Sequence, residues 1–172
     1  MPACALFGHA DETYTREQRK TVMNIMMYLI SYHHVDHFYI RNRGNFDELA
    51  LVALNFLAIT SPHIKTTLVM SNMPTKQDFL KPNVWRGDFI AYPTSLLSAK
   101  GKNIINETNK RIIEACQYVI FAVKRNRGGA YNAYRYALKK NKNIFNIYSG
   151  DKSAYDSYDF YSDFLEEIIP RK

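Results

Sequence analysis

The sequence predicts an α/β fold: a Rossmann-like three-layer sandwich with a mostly parallel sheet of five or more strands and a C-terminal amphipathic helix. Three observations predict it. Short apolar runs alternate with segments of helical periodicity along most of the chain. The connections between successive runs are long enough to hold a helix, and strands joined that way lie parallel through right-handed crossovers. The 172 residues, 47% hydrophobic and 23% charged, suffice for one domain with a buried core, so residues 1–172 are read as a single domain.

The run "CALFG" at residues 4–8 is a buried strand ending in glycine. Thr15 caps the next helix, in which Val22, Met26, Leu29, Ile30 and His33 fall at helical spacing. "HFYIRN" at 37–42 is the second strand. The helix over 44–60 carries Asp47 and Glu48 in its first turn, where carboxylates suit the positive end of the helix dipole, and Phe46, Ala50, Ala53 and Leu57 along one stripe. Residues 64–72 form the third strand. A less regular segment over 73–102 holds three of the six prolines, and "FIAYP" at 89–93 is a further short strand within it. The helix over 103–117 has Ile105, Thr108, Ile112 and Cys116 in register, and "YVIFAV" at 118–123 is the next strand. A glycine-opened helix over 128–141 leads to a strand at 144–148. The segment 158–170 sets Tyr161, Phe164, Leu165 and Ile168 on one face of a closing helix.

Composition narrows the function classes. The longest nearly apolar run, residues 49–59, is too short to cross a bilayer, so no membrane partner is expected. The N-terminus lacks the basic start and long apolar stretch of a secretion signal, which makes the cytoplasm the expected compartment. Cys4 and Cys116 make no metal spacing and read as buried thiols. The "HHVDH" cluster at 33–37 straddles a helix end and a strand start away from the strand exits, so no metal site is assigned to it, and no cofactor is expected. The formal charge of +7 is uneven. Residues 100–142 carry eleven Lys or Arg against two Glu, whereas residues 151–167 carry six carboxylates and one lysine. Clustered cations beside a glycine-rich turn attract phosphate, on a small nucleotide or on a polymer.

In parallel α/β sheets ligands bind outside the carboxyl ends of the strands. Those ends carry Gly8 and His9; Arg41, Asn42, Arg43, Gly44 and Asn45, with Asp47 just inside the helix; Ser71 and Asn72; and Arg127, Gly128 and Gly129, followed by Tyr131 and Asn132. Each glycine taken singly can be an ordinary turn. Several glycine-bearing turns at one edge point to an anionic small molecule, because backbone N–H groups at helix starts favour anions. Tyr131 packs on its helix or stacks on a base.

"CALFGH", "FYIRNRGNFDELAL", "IAYPTSLL" and "NKRIIEACQYVIFAV" with "GGAYNAYRYALKKNKNIFNI", in that order, resemble small bacterial and phage proteins of the SLOG superfamily. This group unites DprA-like and LOG-like Rossmannoid domains that bind nucleotides or nucleotide-derived ligands, and the likeness covers residues 3–148. The chain departs from the family at informative places. Ala10 stands where related proteins carry arginine after Gly-His, and Arg41 and Arg43 stand where glycine or small residues are usual. LOG phosphoribohydrolases use Pro-Gly-Gly-x-Gly-Thr-x-x-Glu. Laid on Gly128 and Gly129, that motif places Arg127 before the pair, Tyr131 and Asn132 for Gly-Thr, and Arg135 or a neighbour at the acid. A cation cannot serve as the general base or stabilise an oxocarbenium ion, so the resemblance implies a retained phosphate cradle without LOG chemistry.

The favoured function is binding, sensing or sequestration of a phosphorylated nucleotide-derived molecule, of the cyclic or ADP-ribose type that related domains sense, by a homo-oligomer. The first alternative is a hydrolase of N-glycosidic or phosphate bonds using Asp47, Glu12 and His9; no catalytic residue is assigned. The second is single-stranded nucleic-acid binding through the basic face, where cations and tyrosines interleave over 124–136.

Overall fold

The computed structural model describes residues 1–41, 44–70, 89–91, 102–150 and 152–156. In chain order the elements are β1 (Ala3–Gly8), α1 (Arg16–His33), β2 (His37–Ile40), α2 (Asn45–Thr60), β3 (Lys65–Val69), β4 (Phe89–Ala91), α3 (Lys102–Ala115), β5 (Tyr118–Ala122), α4 (Gly129–Lys139), β6 (Asn143–Asn146) and a short α5 (Ser153–Asp156). The six strands form one sheet in the order β4-β3-β2-β1-β5-β6, and every pairing is parallel. The predicted three-layer architecture is therefore observed, and the sheet expected to be mostly parallel is parallel throughout its six strands.

The alternation within single strands decides the layers. Cys4 and Leu6 of β1 point into one apolar cluster with residues of α1 and α2 such as Met26, Leu29, Phe46 and Leu54. Ala5 and Phe7 point to the other face, where they meet Ile112 and Ile113 of α3 and Ala133 and Ala137 of α4. In β5 the same period of two sends Ile120 and Ala122 to the first cluster and Val119 and Phe121 to the second. Successive side chains stand on opposite faces of a strand. A strand apolar at every position is thus stable only when helices cover both sides of the sheet.

Chain punctuation behaves as its chemistry requires. Thr15 and Gln18 form a reciprocal capping box at the start of α1. Its end is closed by His34 in the left-handed region, φ 53°. Lys142 donates from Nζ to the carbonyls of Glu114 and Cys116, at 3.3 and 2.6 Å, putting a cation on the last carbonyls of α3. Cys4 and Cys116 are buried free thiols. Burial pushes the Cys116 thiol up to about 12 and raises Cys4 as well.

Several boundaries move. β2 ends at Ile40, before the predicted Asn42, and β3 spans only Lys65–Val69. β6 begins at Asn143 and ends at Asn146, because Ile147 and Tyr148 enter a turn. The predicted strand residues 42, 71 and 72, part of "FIAYP", and the closing helix at 158–170 lie outside the described residues. Among the described residues no helix is long and apolar enough to cross a membrane.

Candidate functional site

The strand order determines where a ligand can enter. From β1 to β4 the chain moves steadily to one side, and β5 then returns to the other flank of β1. The loops leaving β1 and β5 consequently diverge and open a crevice at their carboxyl ends. A cleft of about 620 Å³ lies there. Of the sequence-predicted residues, Gly8, His9, Arg41, Arg127, Gly128, Gly129 and Asn132 line it. Asn42, Arg43, Ser71 and Asn72 lie outside the described residues.

The remaining predicted residues have other employment. Gly44, at φ 154°, starts α2, and a Cβ there would meet the backbone of Ala10 at 2.5 Å. Asn45 donates from its amide to the Ala10 carbonyl at 3.0 Å and from Nδ2 to the Glu12 carbonyl at 2.9 Å. These two residues lock the turn after β2 against the turn after β1 and do not line the cleft. Tyr131 packs against the apolar cluster on the α4 side. Asp47 is 4% exposed and sits against Arg41, Oδ1 to Nη2 3.7 Å, so it lies beneath the cleft and not in it. Gly8 lines the cleft and also leaves room for α2, because a Cβ on it would overlap the ring of Phe46.

Arg41 is the unusual residue of the floor. It is 6% exposed, with its guanidinium over the Phe7 ring at 5.0 Å and Nη1 donating to Asn109 Oδ1 at 3.2 Å. Its Nε is buried without an acceptor among the described residues. A cation this deep normally fills its donors, since burying an unmade hydrogen bond is costly.

Opposite it, α4 begins with a bare N-terminus. Gly128 occupies the cap position at φ 92° and ψ 175°, supplies no side-chain acceptor, and no acid follows in the first turn. The amides at the start of such a helix have no intrahelical acceptor, and the dipole makes the end partly positive. Arg127, exposed beside it, makes no ion pair among the described residues. Of the two glycines, Gly128 has a positive φ and Gly129 does not. A Cβ on Gly129 would find only Ile105 Cγ2, at the ordinary contact distance of 3.7 Å. The turn itself therefore needs glycine at 128 and not at 129.

Across the mouth, the loop after β1 is tied to the loop after β5. Arg125 forks onto Asp11, Nη2–Oδ1 2.5 Å and Nη1–Oδ2 3.3 Å, and its Nε reaches Glu12 at 3.5 Å. Lys124 pairs with Glu12 at 3.0 Å. The Arg125 guanidinium holds the Asp11 carboxyl below its ordinary range. His9, 5% exposed, accepts the Arg125 amide at Nε2 (3.4 Å), and its carbonyl accepts the Tyr14 hydroxyl at 3.2 Å. Burial, then the Arg125 charge, lowers the His9 pKa from 6.5, so it is a neutral imidazole near neutrality. Asn146 clamps the exit of β5 by bonding both the amide and the carbonyl of Val123.

The arrangement can hold an anion between the α4 start and three arginines. Its carboxylates are paired: Asp11 and Glu12 face cations and Asp47 faces Arg41, while Arg135 is exposed on α4. Among the described residues no group of three His, Cys, Asp or Glu could hold a metal. His33 and His37 of the "HHVDH" cluster bond Tyr118 and Thr67. Sequence reading missed Arg125, Asn106 and Asn109. The basic run flagged Arg125's neighbourhood, whereas the asparagines gave no signal beyond helical spacing.

No protein-family model matches the chain. No curated protein matches it either. Among solved structures it is similar to DNA processing protein A (DprA) from Streptococcus pneumoniae, with a TM-score of 0.61 and 17% sequence identity over 91% of this chain. The match covers 53% of that protein, so the chain spans about half its length. At that identity the likeness shows the fold alone.

Proposed function

We propose that the chain is a SLOG-like protein that binds a phosphorylated, nucleotide-derived small molecule in the cleft between β1 and β5, with a phosphate seated on the start of α4. One observation carries the reading: an uncapped, acid-free helix start opens onto a cleft also lined by Arg41, Arg125 and Arg127. Amides and dipole at such an end favour an anion without any side chain. The unfilled Nε of Arg41 supplies a reason for an acceptor to enter the same space. The site binds and sequesters its ligand without turning it over, because the nearby carboxylates already face cations. The likeness in fold to a DNA processing protein favours a second reading, in which the basic loops hold single-stranded nucleic acid.

The test is calorimetric titration of the parent, Gly129→Val and Arg127→Ala with a panel of nucleoside mono- and diphosphates. At least one nucleotide should bind the parent. Gly129→Val should abolish that binding in a folded protein, because its branched side chain occupies the approach to the amides. Arg127→Ala should weaken it by roughly tenfold if the guanidinium pairs with phosphate. A folded Gly129→Val protein that binds every nucleotide as the parent does would reduce the glycine pair to a turn and remove the reading's main support.

A further inference from the structure

A second cavity of about 280 Å³ lies between α3 and α4 and shares Asn106 and Asn132 with the rim of the main cleft. Its walls differ in kind from those of the cleft. Asn103, Asn106 and Asn109 recur at i, i+3 and i+6 on α3, a spacing that puts three carboxamides on one stripe. Asn132, in the first turn of α4, closes the opposite side. The only ionic groups among the described lining residues, Glu107 and Lys110, pair with each other at 2.7 Å. The cleft carries three arginines against Asp11, whereas this annex presents neutral donors and acceptors.

Asn109 gives the annex a direction. It is 2% exposed, and its carboxamide cannot be reversed, because a guanidinium only donates and Arg41 Nη1 needs the oxygen. Nδ2 is therefore committed to the other side, where it is buried without an acceptor among the described residues. Leaving such a donor unmade is costly, and an acceptor from a ligand would remove the cost.

We infer that the annex receives the nucleobase of the ligand whose phosphate sits on α4, with Asn109 donating to a ring or carbonyl acceptor and Asn106 and Asn132 at the entrance. This rests on the anion-binding reading of the cleft. A carboxamide offers one acceptor and two donors in a plane, matching the edge of a heterocycle, and the absence of net charge here gives a phosphate no reason to enter.

The experiment compares AMP, GMP, CMP and UMP with ribose 5-phosphate, which has phosphate and sugar but no base. Each is titrated into the parent, Asn109→Asp and Asn103→Leu, with folding checked by thermal unfolding. Asn109→Asp keeps an oxygen for Arg41 and replaces the donor by a carboxylate oxygen, whose charge acts on the phosphate of ribose 5-phosphate and of the nucleotides alike, so that the margin between them reports the lost donor. Asn103 lines the annex and not the cleft. At least one monophosphate should bind the parent about tenfold more tightly than ribose 5-phosphate, and Asn109→Asp should remove that margin. Where the Asn109→Asp protein fails to fold, Asn103→Leu decides, and it should reduce the margin. Equal binding of ribose 5-phosphate and all four nucleotides by the parent overturns the inference while leaving the phosphate site intact. A margin that survives both substitutions overturns it too. Binding of neither ribose 5-phosphate nor any nucleotide removes the phosphate reading itself, and the base site with it.

Discussion

Gly128 and Gly129 adjoin in sequence, yet the backbone asks different things of them. Gly128 sits at φ 92° and ψ 175°, a region a β-carbon makes costly, although the space beside it is open. Gly128→Ala should therefore lower the unfolding free energy by about 1–3 kcal/mol through strain alone. Gly129→Ala, with no left-handed φ and only an ordinary contact to Ile105, should raise it by about 0.4–1 kcal/mol by restricting the unfolded chain. Urea denaturation of both variants checks the contrast, and equal losses would contradict it. His9 supplies a pH signature. Its folded pKa lies below 6.5, so the unfolded chain takes up the proton first as pH falls, and stability declines through that window until the folded pKa is passed. His9→Gln keeps a side-chain acceptor for the Arg125 amide but cannot titrate. Between about pH 7 and pH 5 the parent should lose stability relative to this variant, and parallel profiles would refute the assignment. The lowered Asp11 carboxyl contributes stability that fades as pH falls through its unfolded and then its folded pKa, on the acid side of the His9 window.

Between elements, the loops after β1 and β5 are joined by ion pairs and not by apolar packing. Asp11 is mostly exposed, so the strap formed by Asp11, Glu12, Lys124 and Arg125 depends on the solvent around it. Raising salt from 0.1 to 1 M shortens the screening length from about 10 to 3 Å. The coupling measured in a double-mutant cycle of Asp11→Ala and Arg125→Ala should shrink across that range, and a salt-independent coupling would show that the pair is shielded from solvent. The α3–α4 pair contrasts with this strap. Ile112 and Ile113 meet Ala133 and Ala137 on the sheet, while Tyr136 bonds Glu114 at the outer edge. That interface is an apolar floor beneath a polar rim, and the annex occupies the polar side.

At the scale of the whole molecule, the basic quarter over 100–142 is less available than its count implies. Lys110 and Lys140 face Glu107 and Glu114, Lys124 and Arg125 face Glu12 and Asp11, and Lys142 sits on the carbonyls ending α3. Among the described residues, five of these cations thus have partners within the fold. A polyanion bound along this face would compete with those internal partners for nearly half of the charges, and its affinity depends on salt in proportion to the phosphates neutralised. Single-stranded DNA titrated at two salt concentrations should accordingly bind the parent weakly and with a shallow slope. A steep slope, with Lys and Arg substitutions each giving modest losses, would favour the nucleic-acid reading over the cleft.

By itself the sequence determined the layers and, to within a residue, the exits of β1 and β5. An apolar strand such as β1 has to be covered on both faces, and a crossover long enough for a helix makes its neighbours parallel; both follow from local pattern. It also marked Gly128, because a strand entering a helix through glycine beside cations is a local signal. Tertiary structure alone decided that β5 lies beside β1, which opens the cleft between those two loops and leaves β4 at the far edge. It decided as well that Arg41 lies over Phe7 and bonds Asn109, 68 residues later, and that Asp47 sits against Arg41. Asn103, Asn106 and Asn109 read in sequence as the polar face of an amphipathic helix, since spacing reports which residues share a face but not what that face meets. The contact with α4 turns their stripe into a wall of the annex. Such long-range placement is set by packing across the sheet, and no local propensity encodes it.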